Sequence, residues 1–177
     1  MDQRLCSQCC GAHRGRFIRC RPDCTYYLAA EERLRARRAR ELVQAWAAWR
    51  RELDAAGREI TWSYVEALAE ALAAILHREP ADDADVQAAL VYLAQSLSPV
   101  VMVGTAPPPL GRILVDLFSP LRQKGRVDGD KLRGAAQAVA DWLGCYRSPE
   151  DEKRFVRGLL GAFPPPAEEE QGLIVRP

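Results

Sequence analysis

Five of the six cysteines in this 177-residue chain fall within its first 24 residues: Cys6, Cys9 and Cys10, then Cys20 and Cys24. Two residues separate Cys6 from Cys9, so one turn brings both sulfurs to the same side. Three separate Cys20 from Cys24, which places one sulfur before a helix and the next in its first turn. Two such pairs form a tetrahedral S4 set of the structural zinc kind, with Zn–S distances of about 2.3 Å. The expected metal ligands are therefore Cys6, Cys9, Cys20 and Cys24, and the expected cofactor is Zn2+. Cys10 can replace Cys9, and His13 can replace a cysteine to give a Cys3His set. The helix start assists, because its partial positive charge favours thiolate. Two alternatives stay open. An iron–sulfur cluster would use the extra cysteine, although the spacings fit no ferredoxin run. A thiol redox sensor would use the same sulfurs and release the metal on oxidation.

Over roughly residues 4–30 this arrangement is similar to treble-clef and zinc-ribbon knuckles. The ten residues between Cys9 and Cys20 are fewer than that family's norm, so the resemblance implies a metal but leaves the knuckle's exact fold open. The same stretch resembles uncharacterised bacterial proteins that begin CxxCCGxHR and continue to a CxxxCxYL-like segment. Cys6, Cys9, Cys10, Gly11, His13, Arg14, Cys20, Cys24, Tyr27 and Leu28 occupy those places. That resemblance implies no activity.

No reaction centre is visible elsewhere. The chain has no HExxH, no GxSxG and no phosphate-cradling glycine loop. With two histidines, His13 and His77, options for a general base are few. His77 falls at a helix end, where capping is the simpler role. Asp82, Asp83 and Asp85 are neighbours, but they occupy a helix start, where acids belong. Cys145, alone and near Trp142, reads as a small buried hydrophobe. Trp46, Trp49 and Trp62 read as core anchors rather than a base-stacking platform.

Charge supplies the other candidate site. Residues 1–51 hold 12 Lys/Arg against 5 Asp/Glu, a balance of +7; the whole chain is +1, so the remainder is −6. Arg33, Arg35, Arg37, Arg38 and Arg40 crowd one stretch of a single helix and are the candidate partner-binding residues. An acidic protein surface or a nucleic acid could meet them, the latter with the salt dependence that counterion release imposes. The plainer alternative is a solvated helix face, with Glu31, Glu32 and Glu41 pairing at i+3 or i+4.

These residues must be positioned by helices. One helix is expected from Thr25 to about Ala56, with Ala39, Leu42, Trp46, Trp49 and Leu53 on one stripe and Gly57 as its stop. A second is expected from Thr61 or Ser63 to about His77, and a third from Asp82 or Asp83 to the residue before Pro99. Val100–Thr105 reads as a buried connector or short helical turn, and Pro107-Pro108-Pro109 as extended. Leu110–Leu121 resumes a helical period through Ile113, Leu114, Leu117 and Phe118, kinked or ended by Pro120. A fifth helix starts near Asp128 or Asp130 and uses Leu132, Ala136, Val139 and Leu143. Ser148-Pro149-Glu150-Asp151 gives the strongest local start signal, for a last helix carrying Phe155, Val156, Leu159 and Leu160.

The expected fold is all-α: a bundle of about six helices with a small zinc-knuckle-like cap. Residues 1–24 form the knuckle, 25–163 the helical domain, and 164–177 a disordered segment. Leu173-Ile174-Val175 is more apolar than a solvating segment needs, so docking onto the domain is the alternative there. No apolar run reaches the about 20 residues needed to span a bilayer, and no secretory signal is visible. The expectation is a soluble cytoplasmic protein, a non-enzymatic adaptor or regulator.

Overall fold

The computed structural model describes residues 23–98 and 106–165. Six helices account for most of them: α1 Thr25–Ala55, α2 Trp62–Leu76, α3 Asp83–Ser96, α4 Pro109–Gln123, α5 Gly129–Tyr146 and α6 Arg154–Ala162. The fold class is all-α, as the spacing of apolar residues and breakers implies. Val100–Thr105 lies outside the described residues, as do the first 22 residues and residues 166–177.

Helix ends follow local chemistry in four places. Gly57 has φ 64° and Gly125 φ 66°, a backbone conformation that costs glycine little. Around Gly57, the N–H of Arg58 reaches the Leu53 carbonyl at 3.0 Å and that of Gly57 reaches Asp54 at 3.1 Å. This paired bonding satisfies the orphan carbonyls of α1, and the same pattern closes α4 at Gly125. Asp82 caps α3: its side chain accepts from the N–H of Asp85 while the Asp85 side chain accepts from the N–H of Asp82. Asp128 caps α5, accepting from Asp130 and Lys131.

The core is a single cluster. Leu68 and Leu72 of α2, Val86, Leu90 and Leu93 of α3, Leu114 of α4, Leu132 and Leu143 of α5, and Phe155 and Leu159 of α6 are sealed from solvent. α3 packs most closely on α5 and α4, while α1 packs on α6, which in turn meets α2 and α3. Small residues set the close approaches. Ala136 and Ala140 of α5 are fully buried, and a Cβ at Gly144 would stand 2.7 Å from Gln87 Nε2. That amide donates to the Ala140 carbonyl at 3.0 Å.

Two expectations are corrected. The last helix does not start at Ser148. Ser148–Asp151 instead closes a turn, with the Ser148 hydroxyl accepting from Glu150 N–H at 3.3 Å, and α6 begins at Arg154. The physical reason is a distant cap, described below. In α4, Ile113 and Leu117 are exposed while Leu110, Leu114 and Phe118 are buried. The buried stripe is rotated from the expected one, because Gly111 lets α4 press against Tyr92 of α3. Pro120 lies inside α4 near its end, where it removes one helical N–H and the helix stops within a turn.

Candidate functional site

α1 is 31 residues long, or about 46 Å at 1.5 Å per residue. α6 covers only part of it. A Cβ at Gly158 would stand 3.0 Å from Leu42 Cβ and 3.3 Å from the Arg38 carbonyl oxygen; at Gly161 it would stand 2.8 Å from the Arg35 carbonyl oxygen. The two helices therefore run antiparallel at backbone contact, with Arg35, Arg38, Ala39 and Leu42 beneath α6. No residue of α1 before Leu42 is buried, and among the described helices α6 covers α1 only as far back as Arg35.

The five candidate arginines divide between two sides. Arg35 and Arg38 lie on the side that α6 meets, and Arg38 is half-buried. Arg33, Arg37 and Arg40 are exposed and spaced i, i+4, i+7, which aligns them along the opposite side. Tyr26 continues that line and Leu34 flanks it; their exposures of 68% and 39% leave apolar surface beside the guanidinium groups. Arg37 pairs with Glu41 at 2.8 Å, an exposed i, i+4 bridge worth about 0.3–0.5 kcal/mol. Arg33 Nε donates to the Ala29 carbonyl at 3.1 Å. The sequence singled out the arginine run; only the packing of α6 sorts it into a covered side and an open stripe.

Of the candidate metal ligands, Cys24 alone falls among the described residues. Cys6, Cys9, Cys10, His13 and Cys20 lie outside them. Cys24 is the N-cap of α1 and half-buried, and its side chain makes no capping hydrogen bond. A free thiol at the first turn fits the donor chemistry of a thiolate ligand. Among the described residues no group of three or more His, Cys, Asp and Glu could hold a metal ion. Cys145 is exposed, not buried as its neighbourhood in the sequence suggests.

The tryptophans do form core anchors, though as one connected series that sequence spacing could not show. Trp62 lies 5.5 Å from Trp49, Trp49 stacks on Trp142 at 5.4 Å, and Trp142 stacks on Tyr146 at 4.7 Å. Arg50 sits over Trp62 and Arg154 over Tyr146, at 5.2 and 4.4 Å, closing both ends with cation–π contacts. Trp46 and Phe155 pack against Trp142 from the side. Burial lifts the Tyr146 phenol above its ordinary 10.0, outweighing the charge of Arg154. Large rings here bridge α1, α2, α5 and α6.

An open cleft of about 310 Å3 beside this series is lined by Arg38, Glu41, Tyr146, Glu150, Asp151 and Arg154. Charges of both signs line it, and Arg157 already holds Asp151 at 2.8 Å. A second cleft, about 390 Å3, is bounded by Asp82, Asp83, Arg147, Ser148 and Glu152. The Asp82 and Asp83 carboxylates there are spent on helix caps. His77, at the end of α2, donates from Nε2 to the Phe163 carbonyl at 2.9 Å and so ties down the end of α6. This is a capping role. Comparison of the chain with known protein families, curated proteins and solved structures finds no match. Among the described residues no helix is long and apolar enough to cross a membrane.

Proposed function

We propose that this chain is a zinc-stabilised helical binding protein, an adaptor or regulator that meets an acidic protein surface through the first half of α1. Arg33, Arg37 and Arg40 are the contact residues, with Tyr26 and Leu34 adding apolar area. The observation that carries this reading is the sidedness of α1. α6 covers Arg35 and Arg38, whereas Arg33, Arg37 and Arg40 on the opposite side are exposed among the described residues. Three long charged side chains exposed along one side of a stiff helix suit electrostatic recognition. In this reading Cys24 joins Cys6, Cys9 and Cys20 on the zinc that fixes the start of α1. Aromatic anchors and arginine are also the residue types that carry interface energy.

The test is capture of partners from cell extract by the immobilised chain, compared with a variant carrying Arg33→Glu, Arg37→Glu and Arg40→Glu. Partners retained by the parent and lost from the variant support the reading. Equal retention by both sinks it. Binding of mixed DNA or RNA that weakens steeply with salt would move the partner class to nucleic acid.

A further inference from the structure

The spacing that joins Arg33, Arg37 and Arg40 does not stop at Arg40. Steps of four and three continue it to Gln44, Ala47 and Arg51, and Tyr26 stands one heptad before Arg33. Steps that average 3.5 residues stay close to one helical turn, so these residues form a seam along one side of α1. All of them are exposed among the described residues, while Leu42, Trp49 and Leu53 bury the other side of the helix. From Tyr26 to Arg51 the seam is about 38 Å long at 1.5 Å per residue. Its charge is one-sided. Four arginines and no carboxylate lie on it, although the same span of α1 holds Glu31, Glu32 and Glu41. Glu41 reaches Arg37 from the flank at 2.8 Å, and Arg33, Arg40 and Arg51 have no ion pair among the described residues. A solvated helix face gains from opposite charges three and four residues apart; here Arg33, Arg37 and Arg40 set like charges at those separations, which disfavours the helix standing alone.

Taking the stripe as the contact surface proposed above, we infer that its partner is an α-helix with an acidic seam, laid lengthwise along α1 as in a two-stranded coiled coil. The gap between Arg40 and Arg51 favours a helix. Gln44 and Ala47 keep the seam's spacing there without charge, so a neighbouring helix can pack across them, whereas a track of phosphates would meet no cation. Charge selects against a second copy, which would set arginines against arginines. Glutamates on the partner's seam supply the carboxylates that guanidinium groups bind in charge-assisted hydrogen bonds.

The probes are two synthetic peptides of about four heptads and identical composition. One carries its glutamates in steps of three and four along one side; the other spreads them round the helix. Circular dichroism matches the two for helix content, and fluorescence anisotropy with the full chain gives their affinities. The seam peptide should bind roughly tenfold tighter than the spread one. A second comparison keeps the net charge and moves one guanidinium. Ala36→Arg with Arg37→Ala carries it about 100° round the helix, between two exposed positions, and should abolish most of that preference. Equal binding of both peptides by the parent, or an unchanged preference in the moved-charge variant, overturns the inference and leaves an acidic partner of another form. A single-stranded oligonucleotide of equal charge that binds tighter than the seam peptide overturns it in favour of nucleic acid. A dimer of the chain alone that Arg37→Glu dissolves, seen by sedimentation, overturns it in favour of a second copy. If neither peptide binds while the triple charge reversal still loses partners from extract, the helix is wrong and the surface stands. If neither binds and extract capture is also unchanged, both readings fall.

Discussion

The carboxylate of Asp83 caps a helix that begins 71 residues further along, with Oδ2 2.9 Å from the backbone nitrogen of Phe155. Its other oxygen accepts from the N–H of Val156 at 3.0 Å, and its own N–H donates to the Glu152 carbonyl at 2.9 Å. Asp83 is the buried charged residue of the described core, 1% exposed. It satisfies two of the orphan donors at the start of α6 and places a negative charge at that helix's positive end. This is why α6 starts at Arg154 rather than at Ser148: the cap comes from α3, across the core.

Removal of that cap should be costly. Asp83→Ala leaves two buried N–H groups unpaired, and each such group costs about 1–3 kcal/mol. Chemical denaturation should show a loss at the upper end of single-residue effects, with Asp83→Asn losing less because one acceptor remains. A loss below about 1 kcal/mol for Asp83→Ala would mean that water replaces the cap.

The same residue sets a pH dependence. Burial is the largest influence and lifts the Asp83 carboxyl above its ordinary 3.8; the two backbone N–H bonds pull it back down, and the charges of Asp151 and Asp82 add to the rise. Folding therefore favours the neutral form. The stability this contributes is complete below 3.8 and is lost as pH climbs through the raised folded value. The stability difference between the parent and Asp83→Asn should fall as pH rises from about 3 toward neutrality. A difference that grows over that range would show the hydrogen bonds outweighing burial.

Two glycines should respond in opposite directions to the same change. Gly161→Ala puts a methyl group 2.8 Å from the Arg35 carbonyl oxygen, so α6 must shift from α1, at about 1–3 kcal/mol. Gly134→Ala, inside α5 with nothing within 4 Å, should stabilise by about 1 kcal/mol through helix propensity. Thermal melts of both variants check the pair, and a neutral Gly161→Ala would contradict the close α1–α6 approach.

Trp142 touches Trp46, Trp49, Tyr146 and Phe155, more ring partners than any other member of the aromatic series. Trp142→Ala should cost about 3–5 kcal/mol. It should also flatten the near-ultraviolet circular dichroism, which reads asymmetric packing of rings. Retained signal with retained stability would show that the series is not coupled.

Elemental analysis of the purified chain should find one zinc per molecule, and Cys24→Ser should lower that occupancy, because a thiolate ligand is replaced by a hydroxyl. Metal-free protein with unchanged melting in the Cys24→Ser variant would leave the helical domain without the proposed staple.

What the sequence settled by itself was local. Apolar spacing, the glycine at 57 and the acids at 82 and 128 each act within one or two turns, so the all-α class and several helix ends could be read from neighbours alone. Tertiary structure decided what depends on partners far along the chain. The middle acid of Asp82-Asp83-Asp85 looked like one more helix-start charge until Phe155 and Val156 were brought above it. Ser148 held every local signal for a cap and lost, because a buried carboxylate at the start of Arg154–Ala162 satisfies donors that a surface hydroxyl would share with water. The arginine run was visible as composition, yet which guanidinium groups stay open was fixed only when Gly158 and Gly161 let α6 lie against one side of α1.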